Sequence, residues 1–142
     1  MGKRRRAREA ALQALYQLDL AGWEGPPANE ILASVHEGES LSQAVSEYAM
    51  SLIEGVRRHR TEIDALLAAA SHQWELHRMA AVDRNILRLS AYEILFGGEV
   101  PVPAAISEGV ELAKRFGDKD SPAFINGILD RLARDKGQER PV

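Results

Sequence analysis

Apolar residues recur along this chain at steps of three and four from near its start to near its end, the period of helices packed by one face. In the first such stretch Ala11, Leu12, Leu15 and Leu18 form a stripe that predicts a helix over about 7–20, ending near Gly22. At about 100° per residue, Arg6, Gln13 and Gln17 fall together on the opposite side, where a ligand can reach them. Gly25-Pro26-Pro27 breaks the pattern, and a short helix carrying Ile31, Leu32 and Val35 is expected to follow as far as Gly38. Ser40 and Gln43 have the spacing of a capping box, which opens a third helix with Leu41, Val45, Tyr48, Leu52 and Val56 on one side. Thr61 and Asp64 repeat that signal in a weaker form and predict a fourth, with Ile63, Leu66, Leu67 and Ala70 inward.

The longest helical pattern runs from about Leu76 to Phe96. Its apolar positions, among them Val82, Ile86, Leu89 and Ile94, cover a wide arc, as expected of a central helix packed on several sides. Gly97-Gly98 stops it, and Pro101 and Pro103 set up the next helix, since proline is tolerated in a first turn. That helix runs to about Phe116, with Glu108 and Glu111 ahead of Lys114 and Arg115 in the order the helix dipole favours. Gly117 stands where a left-handed C-terminal cap is expected. Ser121 as N-cap and Pro122 as first helical residue open a last helix that buries Ile125, Ile128, Leu129 and Leu132. From Asp135 onward the chain is polar. No alternating strand and no fixed repeat is found. The expectation is an all-α protein, a single compact domain of about seven helices.

Composition narrows the picture chiefly by exclusion. The chain has 142 residues, enough to bury a core without staples, and 45% of them are hydrophobic. Cysteine is absent, which removes disulfides, thiol catalysis and cysteine-ligated zinc. No apolar run approaches the length of a membrane span. Arg8, Glu9, Gln13, Gln17 and Asp19 interrupt residues 7–20, so no secretory segment is expected there, and a cytoplasmic soluble protein is.

Charge is more informative because it is unevenly placed. Lys3, Arg4, Arg5, Arg6 and Arg8 are five of the 18 basic residues; against Glu9 they leave +4 in the first ten positions. The net charge is −3, so the remainder carries −7. Between Asp19 and Glu47 there are six acids and no lysine or arginine. A cationic start on an anionic body suits a polyanion such as a nucleic-acid backbone. A solvated terminus and a helix lying on anionic membrane are the alternatives. Phosphate contacts alone would supply affinity without specificity.

A second candidate is the stretch from Lys114 to Phe124, which gathers cations, Phe116 and Phe124, Asp118 and Asp120, and a helix start. Single-stranded RNA is read by stacking on aromatic rings and by hydrogen bonds to splayed bases, and this loop offers both. The plainer reading is a well-capped turn with both phenylalanines in the core. Asp118 and Asp120 have no further acidic ligand nearby, so no metal site is expected. A third stretch, 82–88, holds Asp83, Arg84 and Arg88 inside the long helix. It reads as solvated charge, as an interface for a protein partner, or as a buried network of Arg88 with Glu93. The four histidines make no HExxH arrangement, and no GxSxG, phosphate loop or GxGxxG is present, so catalysis finds no support.

Taken in order, the segments 4–16, 82–94, 102–117 and 120–130 closely resemble the NusB family of transcription antitermination factors. The resemblance spans the whole chain and is least distinctive over 22–40. It implies an all-helical protein without cofactor that binds the boxA element of ribosomal-RNA leader transcripts. The implied protein partner is NusE, a small-subunit ribosomal protein, within an antitermination complex on RNA polymerase. By motif, Arg4, Arg5, Arg6 and Arg8 match the family's arginine-rich RNA-binding start. Phe116, Asp118, Asp120 and Phe124 fall in its second RNA-contacting region, with Lys114 beside them, and Asp83 matches an acidic position facing NusE. Gln13 joins the RNA set by its place on the first helix. Two features depart from the family pattern: Gly109, where a small aliphatic residue is usual, and the stretch Trp23-Glu24-Gly25-Pro26-Pro27. Two rivals remain open. One is a homo-oligomeric interaction module, a homodimer for example, that masks its basic patch. The other is a NusB-like module of an rRNA cytosine methyltransferase, which would need a cofactor-binding α/β domain after it.

Overall fold

The computed structural model describes residues 2–35, 41–72 and 74–135. These form six α-helices and one 3-10 turn: α1 (Lys3–Ala21), α2 (Ala28–Val35), α3 (Gln43–Ser71), the turn Leu76–Arg78, α4 (Ala81–Phe96), α5 (Val102–Phe116) and α6 (Ser121–Asp135). The all-α class is as expected, and no strand occurs among the described residues. Ser40 and Gly38, the expected cap and helix end, and His36, one of the four histidines, lie outside the described residues. The chain divides into two compact units, Met1–Arg58 and His59–Val142, with the boundary inside α3.

In the first unit α1 begins at Lys3, ahead of the predicted start near residue 7, so Arg4, Arg5 and Arg6 are helical. Ala7, Ala11, Leu12, Leu15 and Leu18 are buried along one side, while Arg6, Gln13 and Gln17 are exposed, as the helical phase requires. The helix ends at Gly22, whose φ of 94° only glycine adopts without strain. α2 packs on α1. At the start of α3 the hydroxyl of Ser42 accepts the Val45 N–H at 3.2 Å, the N-cap geometry expected of a serine.

The helix predicted to begin near Thr61 is not separate. α3 runs unbroken for 29 residues, and Thr61 is an exposed mid-helix residue. The buried positions Ile53, Val56, Ile63, Leu67 and Ala70 continue one stripe, and Asp64 is engaged elsewhere, in an ion pair with Arg88. This merger gives six helices in place of about seven.

The second unit is built around α4, which packs on α5 and α6. Asn85 through Ala91 are all buried, so the expectation of a central helix holds. Its start is later than the pattern indicated. After Leu76–Arg78 the backbone is extended at Met79 (φ −74°, ψ 154°), and Arg84 donates to the carbonyls of Met79 at 3.1 Å and His77 at 3.4 Å. A side chain thus satisfies carbonyls that a continuous helix would have consumed.

Gly109 lies where α5 crosses α4. A methyl there would fall inside contact distance of Ser90 Oγ and 3.1 Å from Leu129 Cδ1. Close helix packing therefore accounts for glycine at this position. Gly109→Ala gains helix propensity of about 1 kcal/mol but overpacks a tight contact that costs about 1–3 kcal/mol. The expected result is a net loss of stability in urea denaturation, with partial recovery when Ser90→Ala is added.

Candidate nucleic-acid interface

The cationic start is set into a helix in an orientation that helix electrostatics oppose. The first turn of α1 holds Lys3, Arg4, Arg5 and Arg6, no acidic residue stands among them, and Gly2 makes no side-chain cap. Positive charge at a helix N-terminus costs about 0.3–1 kcal/mol per residue where it is stabilising in the reverse sense. Such a concentration suits an anionic ligand, on which the N–H groups of the helix start and the guanidinium groups would act together.

Tyr48 on α3 organises part of this cluster. The Arg4 guanidinium carbon sits 4.4 Å from the centroid of its ring and that of Arg8 5.8 Å away, both within reach of a cation–π contact. Lys3, Arg4, Arg5 and Arg6 are exposed, but Arg8 is only 6% exposed. Arg8 thus presents little surface to a ligand, in contrast to the equal role its charge suggested. Sequence reasoning placed Tyr48 only in an apolar stripe. No local motif reveals that its ring carries two guanidinium groups from another helix.

The second region lies at the turn between α5 and α6. Lys114 is exposed and paired with Glu111 at 3.3 Å, and the Arg115 guanidinium lies 5.4 Å from the Phe116 ring centroid. Gly117 does not adopt the left-handed cap expected of it: φ is −90° and ψ −169°. Glycine is required for space, because a Cβ there would stand 2.5 Å from Ser121 Cβ.

Asp118 caps the following helix, a role expected of Ser121. Its Oδ1 accepts the N–H of Asp120 at 2.8 Å and of Ser121 at 3.1 Å, while the buried Ser121 hydroxyl accepts the Asp118 N–H at 3.0 Å. Ser121 is therefore the first helical residue and Pro122 the second. The carboxylates of Asp118 and Asp120 nonetheless stay exposed on a turn whose shape is fixed by these bonds.

Phe116 and Phe124 are half-buried, so neither the core reading nor the surface reading of them is complete. Phe124 meets Trp74 edge-on, with centroids 5.6 Å apart at 84°. Trp74 is 58% exposed and was not among the residues the sequence singled out. Its tether is local: Trp74 N–H donates to the Ser71 carbonyl at 3.2 Å, and the Ser71 hydroxyl donates to the Trp74 carbonyl at 2.6 Å.

Asp83, in the first turn of α4, joins this same acidic corner. Its Oδ1 is buried and meets no donor among the described residues. Burial raises its carboxyl above its ordinary value, a hydrogen bond from Ser121 opposes the shift, and the charge of Asp118 adds to it. In the sequence Asp83 and Asp118 belong to separate stretches. The structure brings them to one serine.

No group of three or more histidine, aspartate or glutamate side chains is placed to hold a metal ion, and no helix is long and apolar enough to cross a membrane, both among the described residues.

An all-helical fold with a cationic helix start and an aromatic, hydrogen-bonded acidic turn defines a helical nucleic-acid-binding protein as the class. The comparisons with known proteins agree in detail. Residues 5–134 match the model of the NusB family, and the chain belongs to that family. It is 47% identical over 140 residues to the transcription antitermination protein NusB of Geobacter sulfurreducens, covering 96% of this chain and 100% of that one. The corresponding Myxococcus xanthus protein is 45% identical over 134 residues, covering 94% and 96%. Among solved structures, NusB of T. maritima superimposes with a TM-score of 0.84 at 37% identity, covering 94% of this chain and 92% of that one. A NusB chain from a complex of the antitermination factors NusB and NusE with dsRNA superimposes with a TM-score of 0.83 at 29% identity, covering 95% and 98%.

Proposed function

We infer that this protein is an RNA-binding transcription antitermination factor that binds boxA RNA of ribosomal-RNA leader transcripts together with NusE. It acts without catalysis, in the cytoplasm, as part of an antitermination complex with RNA polymerase. The observation that carries the reading is the run of cations built into the first turn of α1 against the helix dipole. Arg4, Arg5 and Arg6 hold phosphates, with Gln13 further along the same helix and Arg8 positioning Tyr48. At the other region Phe116 and Phe124 offer ring faces to bases, Lys114 a phosphate contact, and Asp118 and Asp120 acceptors for exocyclic amines. Asp83 stands on the NusE-facing side of α4. The test is titration of boxA RNA against a scrambled RNA, with and without NusE. Tighter binding of boxA, enhanced by NusE, supports the reading; equal binding of both RNAs under both conditions overturns it.

The Trp74–Phe124 pair adds a base-stacking platform to that second region. Base–aromatic stacking contributes about 1–3 kcal/mol per base, so Trp74→Ala is expected to weaken boxA binding by roughly 5- to 150-fold. Because Trp74 is exposed, the melting temperature should stay within a few degrees. In a Trp23→Phe background, boxA RNA is expected to quench the Trp74 fluorescence, and unchanged emission at saturation would remove Trp74 from the interface.

A further inference from the structure

A cleft of about 290 Å³ opens between the C-terminal end of α1 and α2, entirely within the first unit. Leu18, Leu20, Pro26 and Ile31 supply its apolar lining, and Glu24 and Glu30 stand among the residues that bound it. Leu20 is 64% exposed and borders this concave apolar surface.

The wall of the cleft is held in place by one side chain. Arg57 on α3 donates to three carbonyls of the segment that follows α1: Pro26 at 2.8 Å, Gly25 at 3.3 Å and Trp23 at 3.3 Å. A guanidinium with its donors fixed in a fork is well suited to locking a loop in this way. The loop is the stretch Trp23–Pro27 that departs from the family pattern. The stretch Trp23–Pro27 is therefore a shaped, tethered surface.

Charge and size restrict what can occupy it. Glu24 and Glu30 are the charged side chains among the residues that bound it, so its rim is anionic. A nucleic-acid phosphate is disfavoured next to Glu24 and Glu30. The cleft also lies about 21 Å along α1 from Arg6, at 1.5 Å per residue. Its volume sits at the lower edge of the roughly 300–1,000 Å³ of small-ligand pockets, which suits a single large side chain.

We propose that this cleft docks an amphipathic protein segment that inserts one large apolar side chain among Leu18, Leu20, Pro26 and Ile31 and sets flanking lysines or arginines against Glu24 and Glu30. The apolar anchor supplies affinity, and the carboxylates select the partner by charge and speed its approach. The inference is independent of RNA recognition.

The test uses the whole protein with a short fluorescein-labelled helical peptide carrying a central tryptophan flanked by lysines, and a second peptide with glutamates in their place. The lysine peptide is expected to bind and to shift the amide resonances of Leu20, Gly22 and Ile31. Leu20→Lys and the double variant Glu24→Lys with Glu30→Lys should each weaken it at least about tenfold, a change of about 1.4 kcal/mol. The charge-reversed variant should take the glutamate peptide instead. All three positions are exposed, so the variants are expected to keep the wild-type melting temperature. Absence of shifts at the three residues, or equal affinity for both peptides, overturns the proposal. A dimer that dissociates on Leu20→Lys assigns the cleft to a second copy, boxA RNA shifting the same resonances assigns it to RNA, and displacement of the peptide by NusE assigns it to that partner. Each of these outcomes also overturns it.

Discussion

Replacing Arg4, Arg5 and Arg6 together with alanine is expected to weaken boxA RNA binding about 100-fold at 0.1 M salt. The estimate follows from counterion release, in which each phosphate contact on a single strand adds roughly −0.7 to the slope of log affinity against log salt. Three lost contacts reduce that slope by about 2, which amounts to two decades between 1 M and 0.1 M salt. Adding Arg8→Ala should change the slope little further, because Arg8 is nearly covered and touches the Tyr48 ring. It is expected to lower stability, since a buried guanidinium side chain is removed from its packing. The triple variant should retain its fold: alanine is the best helix former, and three cations leave the positive end of the helix dipole. Binding isotherms at several salt concentrations measure both quantities. A change in affinity below twofold for the fourfold variant, Arg4, Arg5, Arg6 and Arg8 to alanine, would remove phosphate binding from this helix.

The distinction between Arg8 and its neighbours shows what the sequence could not tell. All five cations of the start have the same charge in a string, and only the phase of α1 against its packed stripe separates the covered one from the exposed ones. Helical phase was legible: Arg6, Gln13 and Gln17 were placed on the outward side by periodicity alone, and they are exposed. Breaks without a glycine or proline were not. The interruption at Met79 depends on Arg84 reaching back to two carbonyls, and the continuity of α3 through Thr61 depends on Asp64 being held by an arginine 24 residues away. At the candidate site the turn around Asp118 was legible as a turn. Its capping was assigned to Ser121 because local rules consider one hydroxyl at a time, whereas here serine and aspartate exchange hydrogen bonds across the turn. Asp83, Tyr48 and Trp74 depend on contacts distant in sequence, which residue spacing does not encode.

Arg88→Ala is expected to cost about 3–5 kcal/mol of stability, a large share of the roughly 5–15 kcal/mol typical of a folded domain. Arg88 is buried in α4 and clamps Asp64 of α3 with two bonds, Nε to Oδ1 at 2.8 Å and Nη2 to Oδ2 at 3.1 Å. Its third donor, Nη1, reaches Asn85 Oδ1 at 3.0 Å, and Asn85 in turn donates to the Ala81 carbonyl at 2.8 Å. Truncation removes every one of these donors at once. It leaves a carboxylate whose remaining neighbour, Arg60, is 3.7 Å away, and an amide oxygen in the core. An unpaired buried acceptor alone costs about 1–3 kcal/mol. The ion pair itself is a weaker source of stability than its loss implies, because both charges were taken out of water to form it. Arg88→Met combined with Asp64→Leu is therefore expected to recover at least half of the loss, with Asn85 as the residual cost. Urea denaturation of the single and double variants measures the coupling, and a single-variant loss below about 1 kcal/mol would mean that the pair is immaterial to the fold. Ala81 and Asn85 flank Asp83 in the first turns of α4, so the same network borders that carboxylate. The double variant should consequently fold with a weakened NusE contact while its RNA contacts through α1 persist, which separates the positioning of Asp83 from the stability of the helix that carries it.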